Sequence, residues 1–265
     1  MFINTISHSK SELFSQCGLK YKYKYIERLS GDKPRNEDAL NFGSYIHKIL
    51  EDGVEAKDLK QLQVLAEQHK DSYKIPYTYR DKVGRCLTNF LSFNQKLGET
   101  VATELVYEVN LDKTRDIKQN GVIDRVIKGR EGGFLIIDYK TSKREKNKYT
   151  LFKDRQLQAY CYAISEMYKV PIDKITCAHY YPLTNNFVDV KYSRAAIASW
   201  KRTELDKVWK IRKKKLNEFK ASENTFCNWC EYIDMCPLFE PPIHVEKRLT
   251  EQRELAKSRK KQKRV

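Results

Sequence analysis

The spacing of hydrophobic residues along the 265-residue chain changes near residue 100. Before that point apolar side chains recur at helical spacing, which predicts helices over 13–29, 42–51, 57–70 and 80–97. After it, β-branched and aromatic residues dominate five short segments, as they do in strands. These segments are 101–111, 121–128, 134–140, 174–181 and 187–192.

Further helices are predicted between and after the strands. One covers 154–169, between the third and fourth strands, and a long basic helix covers about 194–220. The order is helices, three strands, a helix, two strands and a helix. It predicts an α/β fold in which helices flank a mixed central sheet, with a helical N-terminal region.

No repeat or flexible linker interrupts the chain, so we expect one domain over 1–245. It would comprise a helical part (1–100), a sheet core (101–192) and a basic helix followed by a cysteine-rich segment (193–240). Residues 246–265 are rich in Lys and Arg. We expect a disordered basic tail there, which either keeps the protein in solution or contacts phosphates.

The charge balance indicates a polyanionic partner. The chain has 51 basic and 35 acidic residues, a net charge of +16, which favours nucleic acid but does not separate an enzyme from a passive binder. Mean hydropathy is −0.71, and no apolar run is long enough to span a membrane. Because the first residues lack the apolar core of a secretory signal, we expect a cytoplasmic or nucleoid-associated protein without membrane contact.

Candidate chemistry lies where two predicted strands flank a Gly-rich loop. If that loop is centred on Glu131, Asp124 lies opposite Asp138 and both carboxylates share one face of the sheet. Lys140 follows two residues later and projects from the same face. The simplest interpretation is an Asp–Lys ion pair on an ordinary hairpin.

A cation would give these residues a function. Two close carboxylates repel each other, and Mg²⁺, which prefers oxygen ligands, is a natural compensation. The carbonyl of Tyr139 could add a ligand, and Lys140 could orient a water or stabilise charge on a phosphate.

Two pairs of residues at helical spacing accompany the hairpin. Gln156 and Tyr160 share one helical face and can hydrogen-bond a phosphate or an attacking water. Gly43 and His47 are also four residues apart, although a lone histidine beside an apolar stripe is more often a core residue than a ligand. Glu104, on the first strand, could supply another carboxylate.

In this order, FGSYIHKILE, GVIDR, IIDYKTSK and QLQAYCYAI resemble the motif set of RecB-type nucleases in the PD-(D/E)XK superfamily, over roughly residues 8–240. The resemblance implies a restriction-endonuclease-like core that uses Mg²⁺ or Mn²⁺. Asp138 stands where many relatives have Glu, which the family permits. By this resemblance Asp124 and Asp138 bind the metal, His47 lies near it and Lys140 is the catalytic lysine. Gln156 and Tyr160 match the helical motif that supports the site. With the Tyr139 carbonyl added, the predicted metal site is His47, Asp124, Asp138 and Tyr139, and the predicted catalytic set is Asp124, Asp138, Lys140, Gln156 and Tyr160.

The implied function is a metal-dependent deoxyribonuclease, most simply an exonuclease that acts on DNA ends in recombination, repair or processing. The alternatives are a structure-specific endonuclease and a non-catalytic DNA-binding subunit. The sequence contains no G-x-x-x-x-G-K-[ST] motif, so unwinding would need another protein. We therefore expect DNA, and a helicase, integrase or recombination protein, as partners.

Seven cysteines, an odd number without a secretory signal, favour free thiols or a metal site over disulfides. Cys227, Cys230 and Cys236 form C-x2-C-x5-C, a spacing typical of soft-metal ligands. Cys17 is the best candidate for a fourth ligand. The remaining three, which we expect in the core, are Cys86, Cys161 and Cys177.

This set of four cysteines is similar to the iron–sulfur staple of AddB-type and CRISPR-associated RecB-like nucleases. The resemblance implies a structural [4Fe–4S] cluster that holds the two ends of the chain together. Zinc remains the alternative, because four thiolates suit either.

Basic and aromatic residues alternate just after Cys17, and a run of basic residues occupies 210–215. Such side chains can neutralise phosphates and stack on bases, or they can face solvent on amphipathic helices. The residues predicted to contact DNA are Lys20, Tyr21, Lys24, Arg212 and Lys213.

Overall fold

Between residues 37 and 213 the order of the long helices and the strands matches the sequence prediction, whereas a short strand at Thr5–Ser7 and a helix at Pro242–Gln262 were not predicted. The protein is described by a computed structural model that covers residues 3–31 and 37–262. The helices are α1 (His8–Gln16), α2 (Gly18–Tyr21), α3 (Glu37–Asp52), α4 (Leu59–Lys70), α5 (Arg80–Asn94), α6 (Lys148–Phe152), α7 (Arg155–Tyr168), α8 (Arg194–Lys213) and α9 (Pro242–Gln262). The strands are β1 (Thr5–Ser7), β2 (Thr100–Asp112), β3 (Ile117–Lys128), β4 (Phe134–Tyr139), β5 (Ile175–Tyr181) and β6 (Asn186–Lys191).

Residue contacts divide the chain into two units. The terminal unit comprises Met1–Asn36 and Asp206–Val265, and the central unit comprises Glu37–Leu205. The sequence predicted one domain over 1–245. Of the two boundaries, the one between Leu205 and Asp206 falls inside the continuous helix α8.

The sheet of the central unit is mixed, as predicted. Strands β2, β3 and β4 pair antiparallel in sequence order, β4 pairs with β5 in parallel, and β5 pairs with β6 antiparallel. A parallel pair needs a crossover, and the chain makes it through α6 and α7. This arrangement brings the end of β4 next to β5 and to the start of α7.

Helices α3, α4 and α5 form a core with residues of the sheet. Ile46, Ile49 and Leu50 of α3 are fully buried and belong to one apolar cluster with Phe90 of α5 and Ile137 of β4. Complete burial of such side chains contributes about 1.5–3 kcal/mol each. The predicted helical stripe is therefore the face that fixes α3.

Arg125 is almost fully buried in this unit. Its guanidinium donates to the Thr100 hydroxyl at 2.7 Å, to the Asn94 amide oxygen at 2.6 Å and to the Tyr139 phenol at 3.5 Å. Because Arg125 follows Asp124 on β3, its side chain lies on the opposite face of the sheet. It connects β3 to α5 and β2.

The predicted disordered tail over 246–265 is wrong for residues 246–262, which lie in α9. Val245 and Gln252 are buried, and Leu249 and Ala256 pack against an apolar cluster of the terminal unit. These four positions recur at helical spacing, so one face of α9 has a core to contact. Residues 263–265 lie outside the described part of the chain.

Two other helices differ from the prediction. The helix predicted over 13–29 is divided at Cys17 into α1, α2 and a π-helical segment, Lys22–Glu27. Helix α8 ends at Lys213 rather than near residue 220. Among the described residues, no helix has the length and apolar character needed to cross a bilayer.

Candidate functional site

The hairpin of β3 and β4 has the register that the sequence predicted. Arg125 pairs with Ile137 and Val126 with Ile136, so the same register places Asp124 opposite Asp138. The Tyr139 backbone N–H donates to Asp124 Oδ2 at 2.7 Å. Strand pairing therefore places both carboxylates on one face of the sheet and orients the first of them.

Glu104 joins this pair from β2. Its neighbours pair with residues on either side of Asp124, which places Glu104 opposite Asp124. Its backbone has a positive φ of 45°, a left-handed conformation that costs a non-glycine residue on the order of 1–3 kcal/mol. The strand is therefore distorted at the residue that supplies a third carboxylate.

His47 of α3 completes a group of possible ligands. Its Nδ1 lies 3.5 Å from Asp124 Oδ2. One ligand atom each from His47, Glu104 and Asp124 lie within 4.8 Å of one another, the one such group found among residues 3–31 and 37–262. The predicted ligands His47 and Asp124 are thus together, while Asp138 lies outside this group.

The electrostatics of this group fit a divalent cation. Burial and the Asp138 carboxylate raise the pKa of Asp124 well above its usual range, and burial raises the pKa of Glu104. Burial lowers the pKa of His47, which favours the neutral imidazole that ligates metals. A bound cation would stabilise the ionised carboxylates, and oxygen donors are those that Mg²⁺ and Mn²⁺ prefer.

Lys140 lies between Asp138 and α7. Its Nζ is 2.5 Å from Asp138 Oδ2 and donates to Gln156 Oε1 at 3.0 Å, while Gln156 Nε2 donates to the Tyr160 phenol at 2.7 Å. Burial opposes the charge on Lys140, but the Asp138 carboxylate outweighs it and raises the pKa of the amine. Lys140 is therefore a fixed cation and not a base.

A cleft of about 500 Å³ opens onto the carboxylates. His47, Glu104 and Asp124 line it together with Gly43 and Thr141. A Cβ at position 43 would lie 3.3 Å from the Thr141 hydroxyl, so glycine lets α3 approach the end of β4 closely. The cleft is open to a large ligand.

In the terminal unit, the four predicted cysteine ligands line one cavity. All seven thiols are free of disulfides, and the three that were expected in the core are buried. Cys17 comes from the junction of α1 and α2, and the other three come from two short turns near 227–236. The chain thus brings together residues that are more than 200 positions apart.

Each of these four sulfurs accepts a backbone N–H. Lys20 N lies 3.4 Å from Cys17 Sγ, and Asn224 N lies 3.3 Å from Cys227 Sγ. Cys230 and Cys236 accept from the backbone of the residues two positions later, Tyr232 and Leu238. Such donors stabilise sulfur that carries negative charge, as in ligated thiolates.

Among the predicted DNA contacts after Cys17, Tyr21 is not available and the two lysines are paired with a carboxylate. Tyr21 is buried and stacks on Phe219 with an interplanar angle of 8°, so it cannot stack on a base. Lys20 and Lys24 lie 3.1 and 3.5 Å from the carboxylate of Glu231. Because basic and aromatic residues alternate here, their side chains are spread around the helix. One face of the helix, which includes Tyr21, packs into the terminal unit.

The other two predicted contacts lie at the end of α8. Arg212 donates to the Ile3 carbonyl at 2.6 Å, which ties it to the protein, whereas Lys213 is exposed. Of the five predicted DNA contacts, Lys213 is thus the one whose side chain faces solvent without such a contact in the described chain.

A buried histidine that the sequence did not single out also lies beside the site. His179 of β5 has no solvent exposure, and its Nε2 lies 3.5 Å from Asp138 Oδ2. Burial lowers its pKa to about 4, so the ring is neutral. The feature that identifies His179 is its pairing with Asp138 in the parallel register of β4 and β5, and this register could not be read from the sequence alone.

Comparison with known proteins gives a family match over most of the chain. Residues 5–237 match the family described as the PD-(D/E)XK nuclease superfamily. This range includes every candidate ligand in both units.

Two individual proteins are also similar. One of the subunits of the ATP-dependent helicase/deoxyribonuclease of Streptococcus mutans is 27% identical over 156 residues, which are 52% of this chain and 14% of that protein. The chain therefore corresponds to a small part of that relative. A solved structure titled "Crystal structure of SSO0001" is 14% identical, with a TM-score of 0.42 over 91% of this chain and 89% of the other.

Proposed function

The chain belongs to the PD-(D/E)XK nuclease superfamily, and we propose that it is an Mg²⁺- or Mn²⁺-dependent deoxyribonuclease that removes nucleotides from DNA ends. The observation that carries this proposal is the convergence of Glu104, Asp124 and a neutral His47 on one cleft, with the Asp138–Lys140 pair opposite Asp124 on the same sheet. Nuclease chemistry needs a cation site beside a positive charge, and this arrangement supplies both.

His47, Glu104 and Asp124 would hold the cation, and Asp138 and the carbonyl of Tyr139 are further candidate donors. When bound, the cation would supply Lewis-acid activation of a water and neutralise charge on the phosphate. The carboxylates orient the site because strand pairing fixes them before substrate arrives.

Lys140 acts on the phosphate. Its ammonium is held by Asp138 and by the Gln156 amide oxygen, and Gln156 is itself held by Tyr160. A charge fixed in this way stabilises the negative charge that develops on the phosphoryl oxygens as water attacks and the P–O bond to the leaving group breaks. Removing one such donor typically costs about 10²–10³-fold in kcat.

The segment that follows Lys140 offers a surface for the DNA backbone. Residues 142–150 are exposed, and Tyr149 is 71% exposed with Lys153 Nζ 4.2 Å from its ring centre. Basic side chains next to an exposed aromatic ring suit a strand whose phosphates and bases are both accessible. The exposed cations over residues 142–153 are Lys143, Arg144, Lys146, Lys148 and Lys153, of which Lys146 pairs with Asp154.

We also propose that the four cysteines hold a structural [4Fe–4S] cluster. Among the described residues, no three of their sulfurs lie within 4.8 Å of one another. Four thiolates bound tetrahedrally to one zinc at about 2.3 Å would be about 3.8 Å apart. The wider spacing and the N–H donor at each sulfur favour a cluster over a single ion.

A helicase or another recombination protein is the proposed partner. The Streptococcus mutans relative is named as part of a helicase/deoxyribonuclease, and the present sequence has no phosphate-binding loop of its own. Co-purification of the tagged chain with an ATPase from its own cell would support this proposal. Full activity of the chain alone on duplex ends would contradict it.

The test of the nuclease proposal is cleavage of labelled DNA. Linear and circular substrates, single- and double-stranded, would be incubated with Mg²⁺, Mn²⁺ or EDTA, with Lys140→Ala as the inactive control. Release of nucleotides from linear DNA alone supports an exonuclease. Cleavage of circles indicates an endonuclease, and binding without cleavage in either metal contradicts the enzyme proposal.

A further inference from the structure

His179 occupies an unusual position for a core residue. It pairs with Asp138 in the parallel register of β4 and β5. Its Nε2 lies 3.5 Å from Asp138 Oδ2 and 3.8 Å from Asp154 Oδ2, with no solvent contact. A buried imidazole N–H needs a hydrogen-bond acceptor, and the two carboxylates are the acceptors that lie beside Nε2.

The hydrogen bonds around the ring determine which nitrogen carries the proton. The Lys146 backbone N–H donates to the Tyr181 phenol oxygen at 2.9 Å. This leaves the phenol proton available for His179 Nδ1, which lies 3.3 Å away. Because Nε2 faces two carboxylate oxygens, which accept when ionised, the neutral ring carries its hydrogen on Nε2 and Nδ1 accepts from the phenol.

Asp138 offers the missing acceptor. Its Oδ2 is buried and already accepts from Lys140 Nζ, whereas within the described chain His179 Nε2 is buried without a hydrogen-bond partner. An unsatisfied buried polar atom costs about 1–3 kcal/mol, and a small approach of Nε2 to Oδ2 satisfies it. With Oδ2 occupied by Lys140 and His179, Oδ1 is the oxygen left to bind a cation.

The same contacts reach α7. Asp154 accepts the Gln156 backbone N–H at 3.0 Å and so caps the helix, while Lys140 donates to the side chain of Gln156. His179 thus lies between Asp138 on β4 and the residue that fixes the start of α7.

We propose that His179 is a positioning residue, whose Nε2–H holds the Asp138 carboxylate, and through it Lys140, in the orientation required for cation binding and cleavage. This inference rests on the proposed nuclease function and adds a residue to it. Partners that orient ligands in this way typically change metal affinity or activity by about 10–100-fold.

The experiment compares two variants of His179 in the full chain. His179→Phe keeps the ring volume but removes the hydrogen-bonding atoms, and His179→Gln keeps a side-chain N–H donor. Tyr180→Phe, which removes a buried phenol from the same strand, is the matched control. The readouts are the Mn²⁺ dissociation constant by calorimetry, and kcat and KM on end-labelled DNA.

We expect His179→Phe to weaken Mn²⁺ binding and lower kcat by about 10–100-fold, with KM for DNA changed less than about twofold. His179→Gln should restore most of the loss, and Tyr180→Phe should match the wild type. Mn²⁺ affinity of His179→Phe within about threefold of wild type, or equal losses in both variants, would overturn the proposal.

Two further outcomes keep the test decisive. If the wild type does not cleave DNA, the nuclease function fails, but the Mn²⁺ comparison still tests the role of His179. If His179→Phe does not fold, Tyr181→Phe keeps the imidazole but removes the donor to Nδ1 together with the acceptor of the Lys146 N–H, and we expect it to weaken Mn²⁺ binding by about threefold or more. Unchanged Mn²⁺ affinity in that variant refutes the inference.

Discussion

The carboxylate cluster of the central unit and the cysteine cluster of the terminal unit gather their ligands in opposite ways. Glu104, Asp124 and Asp138 lie on adjacent strands, so local register places them. Cys17 joins Cys227 from 210 positions away in the sequence, so closure of the chain places it.

The two clusters also differ in what they do to stability without metal. The carboxylates are buried and repel one another, which makes their cluster costly to form. Each cysteine is a small neutral side chain with an N–H donor already in place. The first cluster therefore depends on a cation for its charge balance, and the second is ready for a ligand that holds the chain together.

The largest expected effect separates activity from stability in the carboxylate cluster. Asp124→Asn removes one charge but keeps an acceptor for the Tyr139 N–H. We expect cleavage to fall at least about 10³-fold, while the metal-free protein gains about 1 kcal/mol because repulsion is relieved. End-labelled cleavage and denaturant unfolding in EDTA measure the two, with the exposed Asp81→Asn as control. A large loss of stability would contradict the repulsion argument.

Loss of a ligand from the cysteine cluster should lower the unfolding free energy, whereas loss of a carboxylate should raise it. Cys17→Ser opens the loop to Cys227, and the loss of that constraint corresponds to about 5 kcal/mol in the chain-entropy treatment. We expect loss of iron and acid-labile sulfide together with a lower unfolding free energy, and unchanged Mn²⁺ binding by the carboxylates. Cys86→Ala, a buried thiol outside the cavity, should retain full iron. Zinc in place of iron in the wild type would exclude the cluster proposal.

A smaller effect tests the support beneath the carboxylates. Thr100→Val keeps the shape of the side chain but leaves two guanidinium N–H groups of Arg125 without their acceptor. We expect a loss of about 1–3 kcal/mol in unfolding free energy. Urea unfolding measures it, and Thr103→Val on the same strand is the control. No change would mean that Arg125 does not connect β3 to β2 energetically.

The smallest effect concerns DNA affinity. Lys148→Ala and Lys153→Ala each remove one exposed cation beside Tyr149. Each should weaken DNA binding about threefold and lower the salt dependence of log Kd by about one unit or slightly less. Fluorescence anisotropy at several salt concentrations, with Ca²⁺ to prevent cleavage, measures both. Lys60→Ala on α4 is the control, and an equal effect there would indicate general rather than local electrostatics.

The sequence predicted what local spacing determines. The pairing of Asp124 with Asp138, the shared sheet face of Lys140 and the shared helical face of Gln156 and Tyr160 depend on periods of two and about four residues, which can be counted. The hydrogen bonds from Lys140 to Gln156 and from Gln156 to Tyr160 were not predicted. Glu104 could only be suggested, because its position across from Asp124 involves an irregular strand.

Other features depend on packing that spacing does not encode. Tyr21 and Lys24 were predicted to contact nucleic acid, but Tyr21 stacks on Phe219 and Lys24 pairs with Glu231. His179 faces Asp138 only because β5 inserts beside β4 in parallel. The helical spacing of buried positions in α9 was countable, and the basic composition of its end concealed it.

The left-handed backbone at Glu104 sets a limit on redesign. Asparagine or glycine would adopt φ near 45° with less strain, so a search for greater heat resistance would replace this glutamate early. The replacement would also delete a ligand from the cleft. At this one position the sequence best suited to endure high temperature and the sequence best suited to capture a cation are different, and thermostabilised versions of the protein should be checked there first.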